Sequence, residues 1–230
     1  MVADKKLSSS FKAGKACGYD GIKIADVKSN IDFLAAPLTY LINLSISSGS
    51  VPDDIKMARV IPVYKSDCRS TFNNYRPISI LPPLSKFYEK VMYDRIVSFI
   101  CKHNVLYEFQ YGFRANHSTN LAIMQLIDQI TSSVDKREVC AGIFLDLSKA
   151  FDTVNHKILV DKLEHYGIRG IALDWITSYL NNKKQFVECN NVFSESKILK
   201  CGVPQGSILG PLFFILYIND ISNSSEILKF

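Results

Sequence analysis

The sequence lacks the features that mark several specialised classes of protein. Its six cysteines contain no Cys-x-x-Cys pair and show no regular spacing with the four histidines, which argues against a zinc site and favours reduced thiols. With 11 glycines and 8 prolines among 230 residues, the chain is neither collagen-like nor of low complexity. The first ten residues lack the apolar core of a signal peptide, and the longest apolar run, Leu212 to Ile218, is too short to span a bilayer. We therefore expect an intracellular protein, in the cytoplasm and the nucleus, with no membrane partner.

The charge of the chain leaves its partner open. It has 27 Lys and Arg residues against 22 Asp and Glu residues, a formal net charge of +5. This balance is compatible with a polyanionic partner, but many enzymes that act on small molecules are equally basic. Because 47% of the residues are hydrophobic, the chain can bury a substantial core. The fold class therefore has to come from the pattern of residues.

The N-terminal half combines helical patterns with one short strand. Residues 1–16 are small and polar and predict a disordered leader. A helix is expected from Asn30 to about Ser47, where a Ser-Gly-Ser sequence ends it. The run 58–64 contains Pro62, which cannot donate a ladder hydrogen bond, so we expect an edge strand or a position near one. Two further apolar stripes predict core-facing helices: Leu84, Phe87, Tyr88, Val91, Met92, Ile96, Phe99 and Ile100, and, after a cap at Ser118, Ile123, Ile127, Ile130 and Val134.

The C-terminal half begins with a continuous apolar run. Residues 139–145 (VCAGIFL) are flanked by charge, which is typical of a strand buried on both faces, and the run ends on Asp146. The elements expected after it are helices over 154–166 and 171–180, a hairpin that turns at Asn190 and Asn191, and a helix from near Pro211. No repeat or linker divides the chain, so the pattern predicts one α+β body.

Two aspartates near this predicted strand have two interpretations each. Asp146 would emerge at the end of a rigid sheet, a position suited to holding a metal ion. An aspartate there can equally cap the next helix. Asp152 has the same ambiguity, since together with Asn155 it can simply begin the helix that follows. Spacing alone leaves the choice open at both positions.

Longer segments of the sequence resemble the motifs of one enzyme family. Segment 144–154 (FLDLSKAFDTV) resembles the first catalytic motif of non-LTR reverse transcriptases almost letter for letter. Segment 202–212 (GVPQGSILGPL) is similar to the family's glutamine-glycine motif, and 74–79 (NYRPIS) and 110–114 (QYGFR) are similar to its fingers motifs. Segment 18–22 (GYDGI) resembles the entry motif. The resemblance covers nearly the whole chain and is closest to the jockey-like LINE elements of animals.

The resemblance implies an RNA-directed DNA polymerase with a right-hand polymerase fold. Residues 17–115 would form the N-terminal helix and the fingers, and residues 116–230 an incomplete palm, with part of the fingers near 181–207. Catalysis would be nucleotidyl transfer to a primer 3′-OH, assisted by two Mg²⁺ ions, with Mn²⁺ as an alternative. The implied partners are an RNA template, a DNA primer or target site, and dNTPs.

The resemblance also implies roles for individual residues. Asp146 would bridge both metal ions, and the backbone carbonyl of Leu147 would bind the metal on the triphosphate. Phe151 corresponds to an aromatic side chain that leaves no room for a 2′-hydroxyl, although a Phe taken alone is more often a core residue. Other residues matched to nucleotide binding are Lys65 and Arg76, which would grip the triphosphate, and Gln205 and Gly206, which would position the nucleotide. Without the motifs, that lysine and arginine are ordinary surface charges.

Basic side chains elsewhere are candidates for contact with the template backbone. These candidates are Arg114, Lys149, Lys183 and Lys184. For the adjacent lysine pair, a solvated loop surface is the simpler interpretation.

The sequence departs from the family where its second carboxylate motif is expected. In the family, an aromatic-Ala-Asp-Asp turn follows the glutamine-glycine motif, whereas this sequence stops at Phe230 before such a turn and before the thumb. Asp53 and Asp54 lie far upstream and are no substitute, and Asp220 is better explained as a surface or capping residue. We therefore expect this fragment to be inactive alone. The alternative function is that of a non-catalytic, RNA-binding remnant of a decayed or domesticated element.

Overall fold

A computed structural model describes residues 10–11, 14 and 16–224 of the chain, so most of the predicted leader lies outside the described residues. The α-helices are α1 (Ile24–Ser29), α2 (Ile31–Ser48), α3 (Pro83–Lys102), α4 (Thr119–Asp135), α5 (His156–His165), α6 (Ile171–Leu180) and α7 (Leu209–Ile218). The strands are β1 (Met57–Tyr64), β2 (Tyr75–Ile80), β3 (Lys184–Cys189), β4 (Val192–Phe193) and β5 (Lys197–Ile198), and short 3-10 helices occupy Asp53–Lys56, Phe72–Asn74 and Asn219–Ser224. The prediction of mixed helices and sheet is confirmed.

The five strands form one small mixed sheet in the order β2-β1-β3-β4, with β5 also paired to β3. β1 pairs antiparallel with β2 and parallel with β3. β1 is therefore not itself an edge strand, since it lies between two neighbours, but it lies next to the edge strand β2, which is the second of the two predicted positions. Its pairing with β3 ends at Val60, however, so Pro62 faces only its partner Pro77 on β2, and the missing N–H leaves no gap against a second strand.

The predicted hairpin is present between β3 and β4. Asn190 and Asn191 both have positive φ, 52° and 62°, and the flanking residues Cys189 and Val192 face each other across the turn. A two-residue turn of this kind needs two residues in the left-handed region, which asparagine tolerates better than most side chains. The local sequence alone was sufficient to place this turn.

The hydrophobic core is built mainly from α3, α5, α6 and α7. The apolar stripe predicted on α3 is buried for most of its length, and α7 buries most of its side chains, in keeping with its short and apolar sequence. α2 ends at Gly49, which has a φ of 66° and whose N–H binds carbonyls of the last helical turn. By length and composition α2 could cross a membrane; here the Trp175 side chain of α6 donates a hydrogen bond to Ser45 on its buried side.

The prediction that the apolar stripe of α4 faces the core is wrong. Ser118 caps α4 as expected, its hydroxyl accepting a hydrogen bond from the Leu121 amide, but α4 has no buried residue. Its apolar side chains are exposed by 42% to 61% at Ile123, Ile127, Ile130 and Val134. Periodicity shows that a helix has one apolar face, but it cannot show whether a packing partner for that face lies within the described residues.

The predicted buried strand at 139–145 is also wrong. These residues have no regular structure and are exposed, with Val139 at 98% and Phe144 at 88%. An apolar run becomes a buried strand only when neighbouring strands accept its backbone hydrogen bonds, and none of the described strands does so. The segment that carries Asp146 therefore lies on the surface.

Candidate active site

Two sequence motifs that lie far apart in the chain are joined by backbone hydrogen bonds. The Gly202 N–H donates to the Val154 carbonyl at 2.7 Å, and the Val203 N–H donates to the Phe151 carbonyl at 2.8 Å. His156 Nε2 lies 2.7 Å from the Gly202 carbonyl oxygen and adds a third link. The segment after Asp146 and the glutamine-glycine loop (residues 202–208) therefore form one rigid unit.

The glutamine-glycine loop also packs directly on β2. Gly206 has a φ of 121°, and a Cβ atom at this position would lie 2.5 Å from the Ser79 carbonyl oxygen. The Ser79 N–H donates to the Gln205 carbonyl at 2.7 Å. Only glycine combines this backbone conformation with such a close approach, which explains physically why this motif needs a glycine.

The side chain of Gln205 points back toward the first motif. Its Nε2 lies 3.5 Å from Asp152 Oδ1, a long hydrogen bond that orients the amide with its nitrogen toward the carboxylate. Asp152 does not begin the following helix, because Asn155 caps α5 by accepting from the Ile158 amide. The interpretation of Asp152 as the start of the next helix is thus wrong, and its role in holding a metal ion stays a prediction.

Phe151 is half-buried between two other aromatic side chains. Its ring stacks on Phe214 of α7 with centroids 5.1 Å apart, and Phe113 meets it edge-on at 5.8 Å. One side of the Phe151 ring is therefore fixed by the core, while its partial exposure leaves the remainder accessible. The contact with Phe214 agrees with the interpretation as a core aromatic, and the exclusion of a 2′-hydroxyl by the exposed part of the ring stays a prediction.

Basic side chains gather at the end of the β1–β2 hairpin where residues 65–74 connect the two strands. Arg76 is paired with Val63, and the Lys65 N–H donates to the Asn74 carbonyl, so strand alternation places Lys65 and Arg76 on the same face. Both are exposed. Lys149 Nζ lies 3.4 Å from Asn73 Oδ1, which brings a third cation of the candidate set to this end of the hairpin.

Asp146 and Leu147 lie on the exposed segment that follows residues 139–145, which do not form the predicted strand. Leu147 lines a cavity of about 320 Å³ that it shares with Phe214, Tyr217 and Asp220. Asp220 is engaged there by Lys162, whose Nζ approaches to 2.5 Å, as expected for a surface residue rather than a catalytic one. Throughout residues 16–224, no three His, Cys, Asp or Glu side chains are arranged to hold a metal ion. The described residues therefore do not fit a two-metal site on their own.

The remaining basic candidates separate into different environments. The Arg114 guanidinium binds the carbonyls of Tyr107 and Glu108 in its own loop, at 3.4 and 3.5 Å. Lys184 lies on β3 and is partly exposed. Lys183 is only 1% exposed, so its assignment to the template backbone is wrong: burial beneath the sheet removes its ammonium group from contact with a nucleic acid.

Lys183 lies in a buried polar cluster that was not predicted from the sequence. The Lys183 Nζ is 3.6 Å from the centroid of the Tyr179 ring, and the Tyr179 hydroxyl donates to Glu89 Oε1 at 2.5 Å. Burial raises the pKa of Glu89 and lowers the pKa of Lys183 to about 8. The available signal was the position of Glu89 on the core side of α3, at helical spacing between Ser85 and Met92.

A known protein family matches most of the chain. The family described as "Reverse transcriptase (RNA-dependent DNA polymerase)" matches residues 63–227. This region contains both motifs that are joined by backbone hydrogen bonds, together with all of β2.

Similar curated proteins come from mobile elements of fruit flies. The chain is 30% identical over 214 residues to the "Probable RNA-directed DNA polymerase from transposon BS" and 32% identical over 208 residues to the "Probable RNA-directed DNA polymerase from transposon X-element", both of Drosophila melanogaster. It is 28% identical over 224 residues to the "RNA-directed DNA polymerase from mobile element jockey" of Drosophila funebris. These alignments cover 90%, 90% and 97% of the chain but 23%, 23% and 24% of the relatives. The chain thus spans about a quarter of the length of these relatives.

Proposed function

Since this chain belongs to the reverse transcriptase family, as a domain of the non-LTR retrotransposon type, we propose that it supplies the nucleotide-binding part of an RNA-directed DNA polymerase. The observation that carries this proposal is the junction at which the glutamine-glycine loop meets both residues 151–154 and Ser79 of β2. A polymerase must hold the incoming nucleotide and the templating base in fixed relation, and a rigid junction of separate elements is suited to that task.

The proposed nucleotide site extends from the basic hairpin to Phe151. Lys65 and Arg76, exposed on one face, would bind the triphosphate, the guanidinium as a fork of donors and the ammonium as a point charge. The side-chain amide of Gln205 and the backbone of Gly206 would lie close to the nucleotide. Phe151, fixed on one side by Phe214, would exclude a 2′-hydroxyl and so favour deoxynucleotides.

Asp146 is proposed as the first carboxylate of the metal site, with the Leu147 carbonyl as a further oxygen ligand. Reverse transcriptases as a family use divalent metal ions, and Mg²⁺ prefers carboxylate and carbonyl oxygens. Because the described residues do not complete such a site, further carboxylates would have to come from outside them.

The proposed subdomains follow the right-hand arrangement. Residues 17–115 would form the N-terminal helix and fingers, and 116–230 an incomplete palm. Parallel pairing of β3 with β1 supports placing part of the fingers near 181–207, because it draws that stretch into the sheet of the N-terminal half. An RNA template and a DNA primer or target site would contact Lys149, Lys184 and Arg114, in the cytoplasm and the nucleus, where a retrotransposon protein acts.

Primer extension on an RNA template with Mg²⁺ and dNTPs tests this proposal. The preparations are the 230-residue chain, a longer polypeptide from the same gene, and that polypeptide with Asp146→Asn. Asp128→Asn, which changes an exposed carboxylate on α4, is the matched control. We expect extension by the longer polypeptide and its control, and a loss of roughly a hundred-fold or more with Asp146→Asn.

Two outcomes contradict the proposal. Full activity of the Asp146→Asn polypeptide would remove Asp146 from catalysis. RNA binding without extension in every preparation would instead indicate a non-catalytic remnant.

A further inference from the structure

A buried carboxylate binds the first turn of α7, directly after the glutamine-glycine loop. Glu89 is 0% exposed. Its Oε2 accepts a hydrogen bond from the Ile208 N–H at 2.6 Å, and its Oε1 accepts one from the Tyr179 hydroxyl at 2.5 Å. The Leu209 amide is also close enough to lower the pKa of Glu89. A negative charge at a helix start is favourable, because unpaired amides point outward there.

A buried cation lies on the other side of the same tyrosine. Lys183 Nζ is positioned over the Tyr179 ring and attracts the Glu89 carboxylate, although it has no hydrogen-bond partner among the described residues. A second cation, Lys56, is 4% exposed and is bound to Asp53 at 2.9 Å. The carboxylate of Glu89 is thus hydrogen-bonded by Tyr179 of α6 and by Ile208 before α7, and it is attracted by Lys183, the residue before β3.

Stability alone does not explain this arrangement. Taking charges out of water is costly, and replacing a buried ion pair by apolar side chains of similar volume is often neutral or stabilising. The buried positions one turn before and after Glu89 on α3 are Ser85 and Met92, which are small or apolar, so the local pattern does not require an acid here. A role in fixing a particular geometry accounts better for a charged residue at this place.

The loop that Glu89 holds is a closed unit containing Gln205. The Ser207 hydroxyl donates to the Pro204 carbonyl at 2.9 Å and accepts from the Gly210 N–H at 3.0 Å. Ser79, just before α3, donates to the Gln205 carbonyl. Consecutive elements β2 and α3 therefore hold the loop at two points, one at Gln205 and the other at Ile208.

We propose that Glu89, supported by Tyr179 and Lys183, is a positioning residue that fixes the glutamine-glycine loop for nucleotide binding. This inference rests on the proposed function, because it assigns Glu89 to the same site. Glu89 does not touch the nucleotide; it acts through the Ile208 amide and the Ser207 turn. Loss of its two acceptor oxygens allows the start of α7 to shift, and with it the amide of Gln205.

Hydrogen exchange of the 230-residue chain tests the loop directly. The variants are Glu89→Gln, which keeps the shape of the side chain but loses its charge, and the double variant Glu89→Met with Lys183→Met, which makes the cluster apolar. Lys90→Met, at a partly exposed neighbouring cation, is the control. We expect the Ile208 and Leu209 amides to exchange at least tenfold faster in both variants and unchanged in the control, while amides of α2 keep their rates.

Thermal unfolding separates positioning from packing. The double variant is expected to melt at the same temperature as the wild type or higher while its loop amides lose protection. In a polymerising form of the protein, it is expected to raise the KM for dNTP about tenfold with an unchanged affinity for primer and template, a split that uniform unfolding does not produce.

The outcomes distinguish this inference from the proposed function. Unchanged exchange at Ile208 and Leu209 in both variants would overturn the role of Glu89 even if the protein polymerises DNA. Faster exchange confined to the loop supports it even if no preparation extends a primer. An equal rise in exchange across α2, α3 and the loop, with a lower melting temperature, would show an ordinary core residue and also overturn the proposal.

Discussion

Two regions that carry family motifs are organised in opposite ways. The glutamine-glycine loop and the start of α7 are held by β2, by α3 and by residues 151–154, and Gly202, Val203 and Pro204 are buried. Residues 119–147, which include α4 and Asp146, expose their apolar side chains and have no buried residue. Of these two regions, only the second was predicted to contribute to the core.

The contrast shows that hydrophobic pattern and hydrophobic burial are separate facts. A pattern states which face of an element is apolar, whereas burial requires a complementary surface in the folded chain. The loop finds its complement in elements next to it in space. The apolar stripe of α4 and the run 139–145 find none within the described residues, so an accurate local pattern still gave the wrong environment.

The largest expected difference between the two regions is the loss of unfolding free energy when one large apolar side chain is truncated in each. Phe213→Ala removes a fully buried ring from α7 and should lower the free energy of unfolding by about 3–5 kcal/mol. Ile127→Ala on α4 should change it by less than about 0.5 kcal/mol, since Ile127 is 54% exposed. Urea unfolding followed by the fluorescence of Trp175 measures both. A loss of several kcal/mol from Ile127→Ala would mean that α4 is covered in solution.

A second experiment examines how tightly the loop is seated. Gly206→Ala should destabilise the fold by roughly 2–3 kcal/mol, because the new Cβ meets the Ser79 carbonyl in addition to the strain of a positive φ. Gly170→Ala is the matched control: φ is 59° there, but nothing lies within 4 Å of the added atom, so about 1 kcal/mol is expected. Equal losses at the two glycines would show that the contact with β2 contributes nothing.

The pH dependence of stability tests the buried cluster beneath the loop. The pKa of Lys183 is about 8 in the folded chain against an ordinary value of 10.5, since burial disfavours the charged form. Between these values the unfolded chain binds more protons, so this group makes stability rise with pH. From pH 8 to pH 9 the wild type should gain about 1 kcal/mol relative to Lys183→Met. The Lys184→Met variant, at a partly exposed lysine, should show the same pH dependence of unfolding free energy as the wild type. If the Lys183→Met variant also showed the wild-type pH dependence, Lys183 would not be buried as a charged group.

The smallest expected effect concerns a turn that local sequence already specifies. Asn191→Ala should cost about 1 kcal/mol because alanine is disfavoured at a φ of 62°, and Asn191→Gly should be close to neutral. Thermal unfolding of the two variants measures the difference. If both behave alike, the turn is set by strand pairing rather than by its own residues.

Elements whose signals are local could be predicted from the sequence, with their boundaries close to those observed. Gly49 ends α2, Asn190 and Asn191 turn the hairpin, and the first turn of α7 contains Pro211. The motifs also identified the family correctly, since a motif depends only on the order of residues along the chain. The roles of Lys65, Arg76 and Asp146 remain predictions.

The sequence by itself determined where helices and turns form and to which family the chain belongs, because capping, turn geometry and motif spacing act within a few residues. Only the tertiary structure decided which apolar faces are covered and which charges are buried. Lys183 and Glu89 lie far apart in the chain and meet only around Tyr179. Residues 139–145 are exposed because none of the described strands pairs with them. Burial and pairing are properties of neighbours in space, and a linear pattern does not specify those neighbours.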